Sequence, residues 1–477
     1  MTPIIMNTKR TKRILLSIVV AQILLIVGLL ALPAIVQLIP GRYRVALAER
    51  SPFLSDILEG VMEQVAPVAT ALPAPQSAAA SGQDPLDFSQ LLDAQPTLAE
   101  AVLIPTATDV PTAVSTPETN EVEATAPVIP TDTPEPTLEP TATPSPTPEP
   151  LPEVVRLEGM GGVRQTFNNC GPANLTQVLN FHQYDITQED VRLVLKPNAE
   201  DRNVSPWQIS DFVNEQTPYR AIARSNGSLE MLKQFIAAGL PVVVEKGYWL
   251  EESGWWGHYL TVFGYDETKQ LFLTQDSYLG PWDGSGRPAS YEELNDYWQH
   301  FNYTFYVVYE PEKEDIVYNI LGQEMVDDFT MWQMTAVRAD QETRDDPDNP
   351  YTWFNLGVAM TRMASLTGEA QYYQAGAQAF DTARQIGLQP RMLWYQFEPY
   401  LAYHKIERND DVIALADATL ETQGGRNVEE TYWYKGHALL AQGDITGARI
   451  AYEEALRVNK NFSPAQISLD YVLSIGG

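Results

Sequence analysis

Gln165-Thr-Phe-Asn-Asn-Cys170-Gly-Pro-Ala173 holds the only cysteine of the 477-residue chain. Gly171 and Pro172 put a turn and then a helix start directly after the thiol. Leu175, Val178, Leu179 and Phe181 follow at helical spacing, so a helix is expected from Cys170 to His182. A thiol at a helix N-terminus sits at the positive end of the dipole, which lowers its pKa and favours the attacking thiolate. Gln165 precedes the turn, and its side-chain amide can donate to an oxyanion forming beside the sulfur. A small, buried, inert cysteine at a helix end is the competing reading.

A thiol nucleophile needs a base, and the chain has five histidines. His182 shares the cysteine's own helix, several turns away. His300 has no evident orienting partner, and His404 and His437 fall in the carboxy-terminal helical region. His258 opens the strand Gly257-His-Tyr-Leu-Thr-Val-Phe-Gly-Tyr265, where a glycine neighbour allows close approach. Asp276 ends the next strand, and Asp266-Glu-Thr-Lys269 is a plausible turn between the two. In such a hairpin the start of one strand lies beside the end of the other. His258 and Asp276 then become neighbours, and the carboxylate orients the imidazole. Asp266, at the far turn, and Asp283, in a Gly-rich loop, are weaker candidates. Trp249, Trp255, Trp256 and Trp282 lie near these residues in sequence and are candidates for the walls of a cleft, with core packing the commoner fate of Trp.

The order Gln165…Cys170-Gly-Pro-Ala, then Gly257-His258-Tyr259, then a strand-terminal Asp276 resembles the bacteriocin-processing cysteine peptidases, members of the papain-like superfamily. The resemblance covers Val154 to Glu310. It implies a Cys170-His258-Asp276 triad, with Gln165 in the oxyanion hole, that cleaves peptide or amide bonds without a cofactor or metal. Asn169 departs from the acidic residue that many relatives carry before the cysteine. No phosphate-binding Gly-Lys-Ser/Thr loop is present, so a peptide exporter is not implied. A catalytically silent papain-like binding module is the alternative, and acyl transfer to an amine is a third reading.

Around this domain the chain divides into stretches of distinct character. Residues 1–13 form a basic tail with Lys9, Arg10, Lys12 and Arg13. An uncharged apolar run at 14–39 is long enough to cross a bilayer core of about 30 Å, so it is expected to be a transmembrane helix. The basic cluster predicts a cytoplasmic amino terminus and an extracytoplasmic remainder, single-pass at the cell membrane. A cleaved signal peptide competes, but the apolar run exceeds the roughly 7–15 residues usual there. After a juxtamembrane segment at 40–65, residues 66–153 become rich in Pro, Thr, Ala and acidic residues. They read as a disordered linker that holds the head away from the bilayer.

The fold class is therefore an α+β papain-like domain at 154–312, a linking helix at 313–345, and all-α tetratricopeptide-like repeats at 346–477. Tyr432-x-x-Lys-Gly436-x-x-Leu439 with Ala448, Tyr452 and Ala455 matches the repeat pattern, as does Trp353-x-x-Leu-Gly357-x-x-Met360 with Phe380 and Ala383. Trp394 to Leu420 fits a degenerate middle unit. Such repeats bind a protein partner or substrate, or cap the neighbouring domain. The formal charge of -31 argues against nucleic acid as a partner.

Overall fold

The computed structural model describes residues 19, 20, 22, 27, 31, 71–76, 88–93, 150–250, 254–422 and 424–475. The expected transmembrane helix at 14–39 lies outside them apart from five positions, as do the basic tail and the juxtamembrane segment. Among the described residues no helix is long and apolar enough to cross a membrane.

An antiparallel sheet of seven strands forms the centre of the first domain. The strands are β1 (Val154–Arg156), β2 (Arg220–Arg224), β3 (Val242–Leu250), β4 (Gly254–Asp266), β5 (Leu271–Gln275), β6 (Arg287–Ser290) and β7 (Phe305–Tyr309). Their order is β2-β7-β3-β4-β5-β6, with β1 paired to the end of β4. The β4–β5 hairpin expected from the sequence forms, and Lys269 N–H closes its turn onto Asp266 C=O.

The strand that carries His258 begins earlier than the sequence suggests, at Gly254. His258 stands inside β4, opposite Lys246, rather than at a strand start. Gly247 and Gly257 read as strand breakers, yet both are held within the ladder. A Cβ at Gly257 would collide with the rings of Phe301 and Tyr395, so glycine here permits close approach of aromatic side chains.

Alternation along the strands builds two cores. Val243, Tyr306 and Val308 face Leu175, Val178 and Leu179 of the Cys170–Phe181 helix and Ile209 and Val213 of the Pro206–Gln216 helix. Val242, Val244 and Val307 face Leu232, Phe235 and Ile236 of the Leu229–Ala237 helix. Each such aliphatic side chain contributes roughly 1.5–3 kcal/mol relative to exposure. Ser205 and Ser228 cap their helices; Ser205 and Gln208 form a reciprocal capping box across Pro206.

The second core runs without a break into the carboxy-terminal helices. The expected single linking helix at 313–345 is instead two, Glu314–Val326 and Asp328–Asp345. Gly322 adopts a positive φ of 72° within the first, and Asp327, extended, caps the second through Thr330 N–H. Helix pairs follow: Pro350–Thr367 with Ala370–Ile386, Glu398–Lys405 with Asn409–Glu421, and Glu429–Ala441 with Ile445–Val458. Gly357 and Gly436 hold the same place in the two sequence patterns, and each lies against the next helix's aromatic ring, Phe380 or Tyr452.

Part of the expected linker at 66–153 is built into this head. Leu72 and Leu92 are buried. Arg384 Nε donates to Pro73 C=O at 2.9 Å, Gln76 N–H to Asp411 Oδ1 at 2.9 Å, and Gln333 Nε2 to Leu92 C=O at 2.8 Å. The average composition of the stretch conceals these short apolar anchors.

Asp411 is fully buried and also accepts from Arg384 Nη1 at 2.9 Å and Arg408 Nε at 3.0 Å. Asp411→Ala leaves Arg384 in the core without its carboxylate. Urea unfolding is expected to show a loss of about 3–5 kcal/mol, with proteolysis opening the 71–76 segment first.

Candidate active site

Cys170 is the first residue of its helix, aimed at β4. His258 and Tyr259 border the same small space as its thiol, and both favour the thiol's charged form. On the imidazole's other side, Nε2 lies 3.1 Å from Asp276 Oδ1. That oxygen also accepts from the backbone N–H groups of Tyr278 at 2.8 Å and Leu279 at 2.9 Å. His258 and Asp276 are both buried.

The electrostatics follow from this packing. Burial pushes the Cys170 thiol up, but the His258 hydrogen bond and charge, the Tyr259 N–H and the Lys196 ammonium together hold it below an ordinary thiol. Burial opposes a charge on His258, yet Asp276 and Cys170 outweigh it and raise the imidazole to about 9. Burial likewise opposes the Asp276 carboxylate, and His258 with the two N–H donors holds it well below the usual carboxylate range. Both shifts, the thiol downward and the imidazole upward, run in the direction that favours a thiolate beside an imidazolium.

Gln165 is fastened to the segment that follows β5. Its N–H donates to Ser277 C=O at 2.9 Å, and its Oε1 accepts from Ser277 Oγ at 2.8 Å. The amide nitrogen is left without a hydrogen bond to another described residue. The same hydroxyl accepts from Asn174 Nδ2 at 3.1 Å, and Asn174 also donates to the carbonyls of Cys170 and Tyr259, each at 2.9 Å. Gln177 continues the network to Thr261 Oγ1 at 2.6 Å. Asn174 and Gln177 stand one helical turn apart, on the side of the helix that meets β4. Asn174 is fully buried and inaccessible to a glycan.

About 260 Å³ of space surrounds the sulfur, bounded by Lys196, Arg202, Glu245, Tyr259 and Tyr395 among others. Tyr395 comes from the helical region. The four tryptophans do not line this space. Trp255 stacks on Phe301 in the core, Trp256 packs edge-on to Trp394, Trp282 donates to Ser277 C=O, and Trp249 is half-exposed beside Tyr297. The remaining histidines also lie elsewhere. His182 bonds Glu310, His300 accepts from Trp255, and His404 lies beside His437 in the helical region. Asp266 serves its turn through Lys269, and Asp283 serves its own loop through Ser285.

Sequence reasoning missed Lys196, Glu245 and Tyr395. Nothing local marks Lys196 as buried, and Tyr395 reaches the site only through tertiary packing.

Asp276→Asn removes the charge that raises His258, so the imidazole titrates lower and the Cys170 thiol higher. Alkylation of Cys170 by iodoacetamide at pH 7 is expected to slow by about tenfold, and the pH profile of its rate to shift upward. An unchanged profile would separate Asp276 from the sulfur's chemistry.

Residues 157–306 match the model described as the Peptidase_C39 like family. No curated protein matches the chain. Among solved structures, a proposed C39-like peptidase from Bacillus anthracis is similar, at 14% identity and a TM-score of 0.27, over 33% of this chain and 98% of that one. The chain thus carries a C39-like peptidase domain, built around a sheet and joined to a helical carboxy-terminal region.

Proposed function

We propose that this domain is a cysteine peptidase of the papain-like, bacteriocin-processing type, with Cys170 as nucleophile, His258 as general base and acid, and Asp276 as its orienter. The observation that carries the reading is the continuous chain of contacts from the thiol through the imidazole to a carboxylate 3.1 Å away. The Cys170 thiolate attacks a peptide carbonyl. The oxyanion so formed accepts from the Gln165 amide and a backbone N–H at Cys170. His258 protonates the leaving amine, and water then hydrolyses the thioester with His258 as base.

Cys170→Ala is expected to abolish both peptide turnover and labelling by a thiol-directed probe, a loss of at least about 10³-fold. Labelling that persists refutes the nucleophile. Gln165→Ala is expected to lower kcat by about 10²-fold with little change in KM.

The narrow space at the sulfur, about 260 Å³, favours a second reading, a catalytically silent binding module. Partner binding undiminished by Cys170→Ala, in a chain that turns over no peptide, supports that reading.

The helix pairs are proposed as tetratricopeptide-like units that recruit a protein partner or substrate, on the strength of the matching Gly357 and Gly436 contacts. The run at 14–39 is proposed as a single-pass anchor at the cell membrane with its amino terminus cytoplasmic, on the strength of its length and the preceding basic cluster. The full chain is expected to stay with membranes after alkaline carbonate washing, and deletion of residues 1–39 to release it. Release of the intact chain by the wash overturns the anchor.

A further inference from the structure

A second cavity lies where the peptidase domain meets the helices. It holds about 880 Å³ of empty space, its open mouth included. Asn203, Glu245 and Tyr395 line both this cavity and the space around Cys170, so the two adjoin.

Its charges do not balance. Glu245, Glu398 and Glu430 face it, and each is more than nine-tenths buried, at 5%, 7% and 8% exposure. Arg362 is the one basic residue among the lining groups, and Glu398 takes it at 2.6 Å, with the other Glu398 oxygen left unpartnered. Glu430 makes no hydrogen bond or ion pair with another described residue. The helix start of Glu429–Ala441 offsets part of its charge. Glu245 has no such help, because it stands in β3. Its neighbour is the Tyr259 hydroxyl, which donates its single proton to Val204 C=O at 2.7 Å.

A buried carboxylate without a partner is costly, and a proton or a bound cation must supply the missing charge. Burial holds Glu245 well above the usual carboxylate range and Glu430 at about 8 in the empty cavity. The walls include Tyr434 together with Trp207 and Trp332, whose rings already carry the Arg362 guanidinium at 5.2 and 5.7 Å from their centroids. Aromatic faces of this kind suit an organic cation.

We propose that this cavity binds a cationic group of the substrate, a primary ammonium or a guanidinium, between Glu245 and Glu430. This rests on the peptidase reading in one respect only: the bound group belongs to the chain presented to Cys170. A lysine or arginine side chain near the scissile bond fits, as does a free amino terminus.

The deciding experiment is calorimetric titration of agmatine, which carries both cationic groups, into the full Cys170→Ala chain. Saturable one-site binding is expected, weakened about tenfold by Glu430→Gln and by Glu245→Gln. Glutamine keeps the shape of a protonated glutamate, and if one variant fails to fold the other serves. Absence of saturable binding, or equal affinity in a folded variant, overturns the proposal. No chemistry at the sulfur enters this measurement. The peptidase reading fails separately, if the wild-type chain shows no Cys170-dependent probe labelling.

Discussion

The Cys170 thiol, the His258 imidazole and the Asp276 carboxylate, packed in a row, are the constraint on which the rest of this domain depends. Burial alone raises the thiol and lowers the imidazole, the opposite of what an ion pair needs. The fold therefore has to supply counter-charge and donors at fixed positions. The β4–β5 hairpin brings Asp276 to the far side of His258, and the turn after β5 aims two backbone N–H groups at its carboxylate. The start of the nucleophile helix gives the sulfur a positive dipole end, and Asn174 pins that helix to β4 and Ser277. Each of these is rigid backbone or a fully engaged side chain, so the pair is met without reorganisation.

The parts set by local pattern were legible in the sequence. Cys-Gly-Pro marked the start of the Cys170 helix, and a hairpin with its turn placed His258 beside Asp276. The extent of β3 and β4 was not legible, because Gly247 and Gly257 argue locally for a break. They are tolerated because aromatic rings from distant segments occupy the space a side chain would need. Tyr395 and Glu245 were hidden for the same reason: their roles come from tertiary packing, to which single-sequence periodicity is blind. The single helix expected at 313–345 overlooked the positive φ of Gly322, which kinks the first helix, and the extended Asp327, which ends it.

The helical region is also part of the site's wall. Tyr395 lies on Gly257, one residue before His258, while Arg391 Nη1 donates to Trp255 C=O at 3.0 Å and Asn203 Nδ2 to Tyr395 C=O at 3.2 Å. One apolar core passes through both regions. The shape of the space beside the sulfur is thus set jointly by the peptidase domain and the helices. A domain cut off at Glu310 would lose that wall and expose Trp255 and Phe301, which pack against Tyr351 and Tyr395.

The same logic changes what the Pro/Thr-rich stretch does. Read from composition, it separates an anchor from a head along residues 40–153, at most about 400 Å of extended chain. Yet residues 71–76 and 88–93 are already fastened to the head, through Leu72, Leu92 and the Arg384–Asp411 pair. The stretch at 94–149 begins and ends on the head, so it adds nothing to the reach. For a chain anchored at 14–39, only residues 40–70 separate anchor from head, at most about 110 Å. In a chain so anchored, the docked segment would shorten the tether to about a quarter and hold the Cys170 site correspondingly close to the membrane.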